Sequence, residues 1–163
     1  MSYSYTLALT TPLSAEEAAC LVGGLPGFER LTGGTAVGPG IVASIRPTDE
    51  EDKEFCRDYE GFEPDLSVSL TRKRGNRDDV LEADNVLQVT MRLLPHAAGA
   101  AVLRAADVLW LRLEKGALWL NTEGGLWKYY QDLLPLVTLP YRAAALPDAT
   151  LDATLGAPEG EPA

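Results

Sequence analysis

The segment from residue 66 to residue 94, LSVSLTRKRGNRDDVLEADNVLQVTMRLL, decides the fold class. Its first six residues alternate apolar and polar side chains, which predicts a strand with one buried face. A turn follows at Gly75-Asn76, and apolar residues then recur every three or four positions as far as Leu94. That spacing predicts the main helix of the chain, over about residues 77–94, with Asn76 as a candidate cap. A strand and a long amphipathic helix joined by a short turn indicate a mixed α and β fold.

The residues before this segment predict two more strands and a short helix. Alternation over residues 3–9 predicts the first strand. Ser14 and Glu17 have the spacing of a capping box, which predicts a short helix over residues 15–22. A glycine-rich stretch with no phosphate-binding motif follows and is expected to form turns. Alternation over residues 41–46 then predicts a further strand that ends at a proline.

The residues after the segment predict more sheet. Strand-like runs begin at Ala101 and Val108, and a turn at Gly116 returns the chain as a partner strand over residues 117–121. Because strands cluster and helices are few, the predicted class is α+β with a largely antiparallel sheet. The long helix, about 77–94, and the short helix, about 15–22, are expected to pack on that sheet.

Length and composition indicate the domain organisation. The chain has 163 residues, of which 46% are hydrophobic, and this suits a single globular domain, placed at residues 1–146. Residues 147–163 are rich in proline, glycine and acidic residues and are predicted to be a disordered C-terminal tail. No apolar run is long enough to span a bilayer, and the N-terminus lacks the pattern of a secretory signal. A membrane is therefore not an expected partner.

Negative charge is concentrated in one segment. The chain has 14 basic and 24 acidic residues, and the stretch 49–65 holds nine of the acids against Lys53 and Arg57. This stretch is expected to be a loop or a short helix. Its field would repel a phosphate backbone, which disfavours nucleic acid as a partner, and would attract a basic protein. A solvated acidic segment that only keeps the protein soluble is the alternative.

Few residues have the chemistry of an active site. Two cysteines indicate a reducing setting more than a disulfide framework. Cys20 is predicted to be a core residue of the short helix, and the acids around Cys56 are expected to raise the pKa of its thiol. His96 is expected on the surface after the long helix. These residues are too few for a zinc site, and no calcium loop or nucleophile elbow occurs, so no metal, cofactor or catalytic residue is predicted.

Aromatic residues cluster in the last third of the chain. Trp110 and Trp119 lie on the predicted hairpin and are expected in the core or on a face of the sheet. The stretch Trp127–Tyr130 is expected to present an exposed aromatic surface.

Three separate blocks of the sequence carry a family resemblance. They are Tyr3–Leu9 with Leu13–Glu17; Gly61–Pro64 with Ser67-Val68 and the helix Asp78–Leu94; and Val108–Leu111 with Gly116, Leu118, Leu120-Asn121 and Trp127. In order and spacing they resemble the Sit-type immunity proteins, the antidotes of bacterial swarming-inhibition toxins, which are polymorphic toxins delivered by contact. The resemblance spans about residues 1–130, with gaps at the glycine-rich stretch and the acidic stretch.

The resemblance implies a cytoplasmic protein that binds and neutralises a cognate toxin and has no catalytic activity. It does not place the residues that contact the toxin, so charge and interleaved aromatic residues indicate the contact surface. The predicted partner-binding residues are Asp49, Glu50, Glu51, Asp52, Glu54, Phe55, Asp58, Tyr59, Glu60 and Phe62. A basic nuclease domain would suit such a surface. The alternatives are a small enzyme that uses two of its carboxylates, and a general protein-interaction domain unrelated to toxins.

Overall fold

The structure is a computed structural model, which describes residues 4–146. In chain order its elements are β1 (Tyr5–Leu9), α1 (Ala15–Gly23), β2 (Glu29–Arg30), β3 (Thr35–Gly38), β4 (Ile41–Pro47), α2 (Glu50–Glu60), β5 (Leu66–Arg72), α3 (Asp79–Leu93), β6 (Ala100–Ala105), β7 (Val108–Glu114), β8 (Ala117–Asn121), α4 (Leu126–Tyr129) and β9 (Tyr141–Ala144). Short 3₁₀ turns follow α3 and flank α4. The predicted tail, residues 147–163, lies outside the described residues, so it stays a prediction.

The described strands form one sheet in the order β2-β3-β4-β5-β1-β6-β7-β8-β9. Neighbouring strands are antiparallel throughout, except that β8 and β9 run parallel. At the centre, Leu7 of β1 lies opposite Val68 on one side and Leu103 on the other. This arrangement confirms the predicted α+β class with a largely antiparallel sheet.

Both predicted helices pack on one face of this sheet and bury the main core. The capping box of α1 is present, because the Ser14 side chain accepts from the amide of Glu17 while the Glu17 carboxylate accepts from the amide of Ser14. The cap of α3 differs from the prediction. Asp78, not Asn76, accepts from the first amides of the helix, while Asn76 accepts from the amide of Asp78 and shapes the preceding turn.

The aromatic residues of the last third lie mostly in this core. The pairing of β6 with β7 is irregular between Leu103 and Arg104, and Trp110 occupies the extra position on β7 and is fully buried. Trp127 donates its indole N–H to the carbonyl of Trp110 at 2.9 Å. The predicted exposed surface is therefore wrong for Trp127 and Tyr130, which are buried, and right for Tyr129, which is 69% exposed.

Cys20 also differs from the prediction, because it lies on the exposed side of α1. A guanidinium N–H of Arg30 points to its sulfur at 3.3 Å. The helix has an apolar side and a polar side, and Cys20 lies just outside the apolar side. The spacing of apolar residues in the sequence does not locate this boundary to a single residue.

The opposite face of the sheet is more polar, because alternation along the strands turns hydroxyls and guanidinium groups toward it. A small second cluster of Ala8, Val102 and Leu109 lies there. Cys56, Phe62 and Leu146 pack against that cluster. The acidic segment therefore covers the face of the sheet that the other two long helices leave open, and it is the candidate site described next.

Candidate functional site

The acidic segment forms an eleven-residue helix because both of its ends are capped. The Asp49 carboxylate accepts from the amide of Asp52 at 2.8 Å, and the acids of the first turn lie at the positive end of the helix dipole. Gly61 ends the helix in the left-handed conformation, with φ of 84°, and its amide donates to the carbonyl of Cys56. The helix is therefore encoded locally, and the loop alternative for this segment is wrong.

Residue spacing divides α2 into three faces. An inner face, defined by Asp52, Cys56 and Glu60 at four-residue intervals, points to the sheet and lines the space beneath the helix. An aromatic edge is formed by Phe55 and Tyr59, whose ring centroids lie 4.8 Å apart. An outer face, defined by Glu51, Glu54 and Asp58, is exposed to solvent.

Seven of the ten predicted contact residues are exposed, namely Asp49, Glu50, Glu51, Glu54, Phe55, Asp58 and Tyr59. Asp52 and Phe62 are half-buried. The structure thus brings most of the predicted surface together on the solvent-exposed side of one helix.

Glu60 is the exception, because its side chain is only 1% exposed. One carboxylate oxygen accepts from Arg104 on β6 and the other accepts from Arg112 on β7. Arg104 also donates to the backbone carbonyl of Asp107 at 3.1 Å. Because both of its oxygens are used inside the protein, Glu60 anchors α2 to the sheet and offers nothing to a partner.

A second attachment holds the start of α2. The guanidinium of Arg46, at the end of β4, lies 3.2 Å from the carboxylate of Asp52 and 3.7 Å from that of Asp49. These pairs are about half exposed, so each contributes less than the buried pairs of Glu60. The helix is therefore fixed at both ends by ion pairs to the sheet.

A cavity of about 540 Å³ lies between α2 and the sheet. Its walls are the inner face and Phe55 on one side, and small residues of β1, β5 and β6 on the other. Thr6, Ser67 and Ser69 line it with hydroxyls, whereas Ala8 and Val102 line it with apolar groups. The turn between β6 and β7, at Ala106 and Asp107, also contributes to the lining.

The Cys56 thiol in this cavity has low reactivity. Burial is the largest cause that raises the pKa of Cys56, and together with the nearby carboxylates of Glu60 and Asp52 it brings that pKa to about 11. Since the thiolate is the reactive form, Cys56 is a poor nucleophile at neutral pH. The direction of the predicted shift is confirmed, although burial, and not charge, is its largest cause.

The residues that position α2 were not predicted from the sequence. Arg46, Arg104 and Arg112 lie on three separate strands, and Arg104 and Arg112 are 44 and 52 positions from Glu60. The available signal was an arginine at a polar position of each predicted strand. No local pattern indicated that two of them share one carboxylate.

A comparison with family models places the chain in a known group. A model described as SitI3-like matches residues 3–131 of the chain. The chain belongs to the SitI3-like family. This match confirms the resemblance to the Sit-type immunity proteins that three blocks of sequence indicated. No curated protein and no solved structure matches the chain.

The SitI3-like match covers the whole acidic site. It begins before β1 and ends after α4, and so includes α2 and the three arginines that hold it. Strand β9 and Leu146, which packs against the second apolar cluster, lie beyond it. Within residues 4–146, none of the helices has the length and apolar character needed to cross a membrane, and no cluster of three or more histidine, cysteine or acidic side chains is arranged to hold a metal ion.

Proposed function

We propose that this SitI3-like chain is a cytoplasmic immunity protein that binds a cognate bacterial toxin. It neutralises the toxin by occluding the surface on which the toxin's activity depends. The outer face and aromatic edge of α2 form the contact, and the protein itself catalyses no reaction. The observation that carries the proposal is the capped acidic helix, which ion pairs hold rigidly against a sheet while its acids and two aromatic rings face solvent.

The composition of this helix suits protein recognition. Charged groups steer an encounter and set specificity, whereas aromatic side chains supply most of the binding free energy once water is excluded. Phe55 and Tyr59 are 45% and 37% exposed, and their rings lie in tilted contact at the edge of the acidic surface. A rigid helix also loses little conformational entropy on binding, which favours tight association.

The charge of the surface indicates the chemistry of the toxin. Net negative charge attracts a basic protein surface, and a nuclease domain carries such a surface because it must bind a phosphate backbone. We therefore propose a basic toxin domain, with a nuclease as the leading class. Nucleic acid and membranes are not proposed as direct partners of this chain.

The enzyme alternative requires a carboxylic acid whose pKa is raised so that it can exchange protons near neutral pH. Asp79 does not fit this role, because Arg72 holds the pKa of its carboxyl below the ordinary value. Two of the three carboxylates that line the cavity are also engaged, since Asp52 pairs with Arg46 and Glu60 with two arginines.

The proposal is tested with the toxin domain encoded beside this chain's gene. The chain is co-expressed with that domain to measure rescue of growth, and the affinity of the purified pair is measured by calorimetry. The variant E51K/E54K/D58K reverses the outer face and is expected to weaken binding about a hundredfold and to abolish rescue.

The matched control is E29K/E123K/D132K, which changes net charge equally at exposed acids outside α2. We expect its affinity to stay within about threefold of the wild-type value. If the wild-type chain neither binds nor protects against the neighbouring toxin, the proposed function is wrong. If wild type and both variants bind alike, the function stands and the assignment of the surface to α2 is wrong.

A further inference from the structure

The cavity beneath α2 opens beside the surface that we propose for the toxin. Phe55 belongs both to the wall of the cavity and to the exposed aromatic edge. Across from the helix, the turn at Ala106 and Asp107 is exposed and also lines the cavity. A side chain that projects from a protein docked on α2 would therefore meet this opening.

The positive groups of the cavity are already engaged by partners in the chain. Arg104 donates to Glu60 and to the carbonyl of Asp107, and Arg46 lies within ion-pair distance of Asp52 and Asp49. The Asp107 carboxylate, in contrast, makes no ion pair with any described residue. The charge that remains available at the opening is therefore negative.

The remaining lining suits a flat cation. An arginine guanidinium stacks on aromatic rings and has five N–H donors in one plane. Phe55 supplies a ring, Asp107 supplies a carboxylate, and the hydroxyls of Thr6 and Ser69 can accept hydrogen bonds. A carboxylate-bearing or wholly apolar side chain would leave either the Asp107 charge or the hydroxyls without compensation.

We propose that the cavity beneath α2 receives one arginine side chain of the toxin, with its guanidinium between Phe55 and Asp107. This inference rests on the proposed function, since it names the group by which that partner is held. The acidic outer face then speeds association with the toxin, and the cavity slows dissociation. The cavity volume of about 540 Å³ is within the range of pockets that enclose small ligands, so one side chain fits without moving the helix.

The cavity is tested first without any toxin. The probe is N-acetyl-arginine methylamide, with the neutral isostere N-acetyl-citrulline methylamide as its control, and binding is followed by NMR shifts of residues around the cavity. We expect saturable shifts at millimolar arginine probe and at least about tenfold weaker binding of the citrulline probe. No saturable shift, or equal binding of both probes, would overturn the inference.

Two variants separate the cavity from the rest of the face. S69F places a ring into the cavity, and T71F places the same ring two residues along β5, on the same side of the sheet but outside the lining. S69F is expected to weaken binding of the probe at least about tenfold, and T71F to change it less than about twofold. If S69F does not fold, D107N with D132N as its control makes the same comparison by removing charge.

The same variants are then measured with the toxin domain. A toxin that binds wild type and T71F but loses at least about tenfold with S69F or D107N supports the inference. A toxin that binds all of them equally overturns the inference and leaves the proposed function intact. A toxin that does not bind the wild type overturns the proposed function, and the arginine probe then decides separately whether the cavity accepts this cation.

Discussion

At the scale of single residues, one carboxylate fixes the position of the acidic helix. Glu60 is the one buried residue of α2, so the helix is attached to the sheet by charge more than by apolar area. Its two oxygens are divided between Arg104 and Arg112, which would otherwise repel each other on neighbouring strands. The same residue type that faces solvent elsewhere on α2 is here a structural anchor.

Replacing Glu60 by glutamine should therefore lower the stability of the protein. The amide removes the negative charge and leaves two partly buried arginines side by side, which we expect to cost about 3 kcal/mol. Unfolding in urea measures the loss. The control E54Q, at an exposed position of the same helix, should stay within about 0.5 kcal/mol of wild type. A loss below about 1 kcal/mol for E60Q would show that the contacts of Phe62 and Cys56 hold α2 without the ion pairs.

At the scale of elements, the residues that end α2 contribute to its stability, as do the side chains on its faces. Gly61 has a φ of 84°, and a Cβ added there would meet nothing within 4 Å. Changing it to alanine therefore tests backbone conformation alone, and we expect a loss of about 1 kcal/mol in the free energy of unfolding.

The matched control for this prediction is G24A. Gly24 also ends a helix, α1, but with a φ of −85° and only ordinary contacts for a Cβ. Alanine there should be neutral or stabilise by up to about 1 kcal/mol. Equal effects of the two substitutions would contradict the conformational argument. Hydrogen exchange of the amides in α2 shows whether the loss at Gly61 is confined to that helix.

The elements that sequence predicted well are those whose signals are local. Alternation found β4 and β5, and the capping box and apolar spacing found α1 and α3, because each depends on residues a few positions apart. The exposed part of α2 was predicted from its charge for the same reason. The burial of Glu60 and Trp127 was not, since each depends on a partner brought from another strand. Strand β9 was missed because it is short, and the sheet supplies its pairing through β8.

At the scale of the whole molecule, the two faces of the sheet have different roles. One face is closed by α1 and α3 and holds the apolar core, which gives the fold its stability. The other face is polar and carries α2, so substitutions on the proposed contact surface are expected to leave the core undisturbed. The chain as a whole has a net charge of −10. The question for function is whether association with a toxin depends on this total charge or on the local field of α2.

Association kinetics distinguish these two cases. We expect the association rate of the wild-type chain with the toxin domain to fall at least about tenfold between low and high salt, while the dissociation rate changes less, because screening weakens steering more than short-range contacts. The variants E51K/E54K/D58K and E29K/E123K/D132K each replace three negative charges by three positive ones, which takes the net charge from −10 to −4. Stopped-flow fluorescence should show a flat salt dependence for the first and a nearly native one for the second. If both variants flatten it equally, the total charge steers the encounter and α2 acts only after contact.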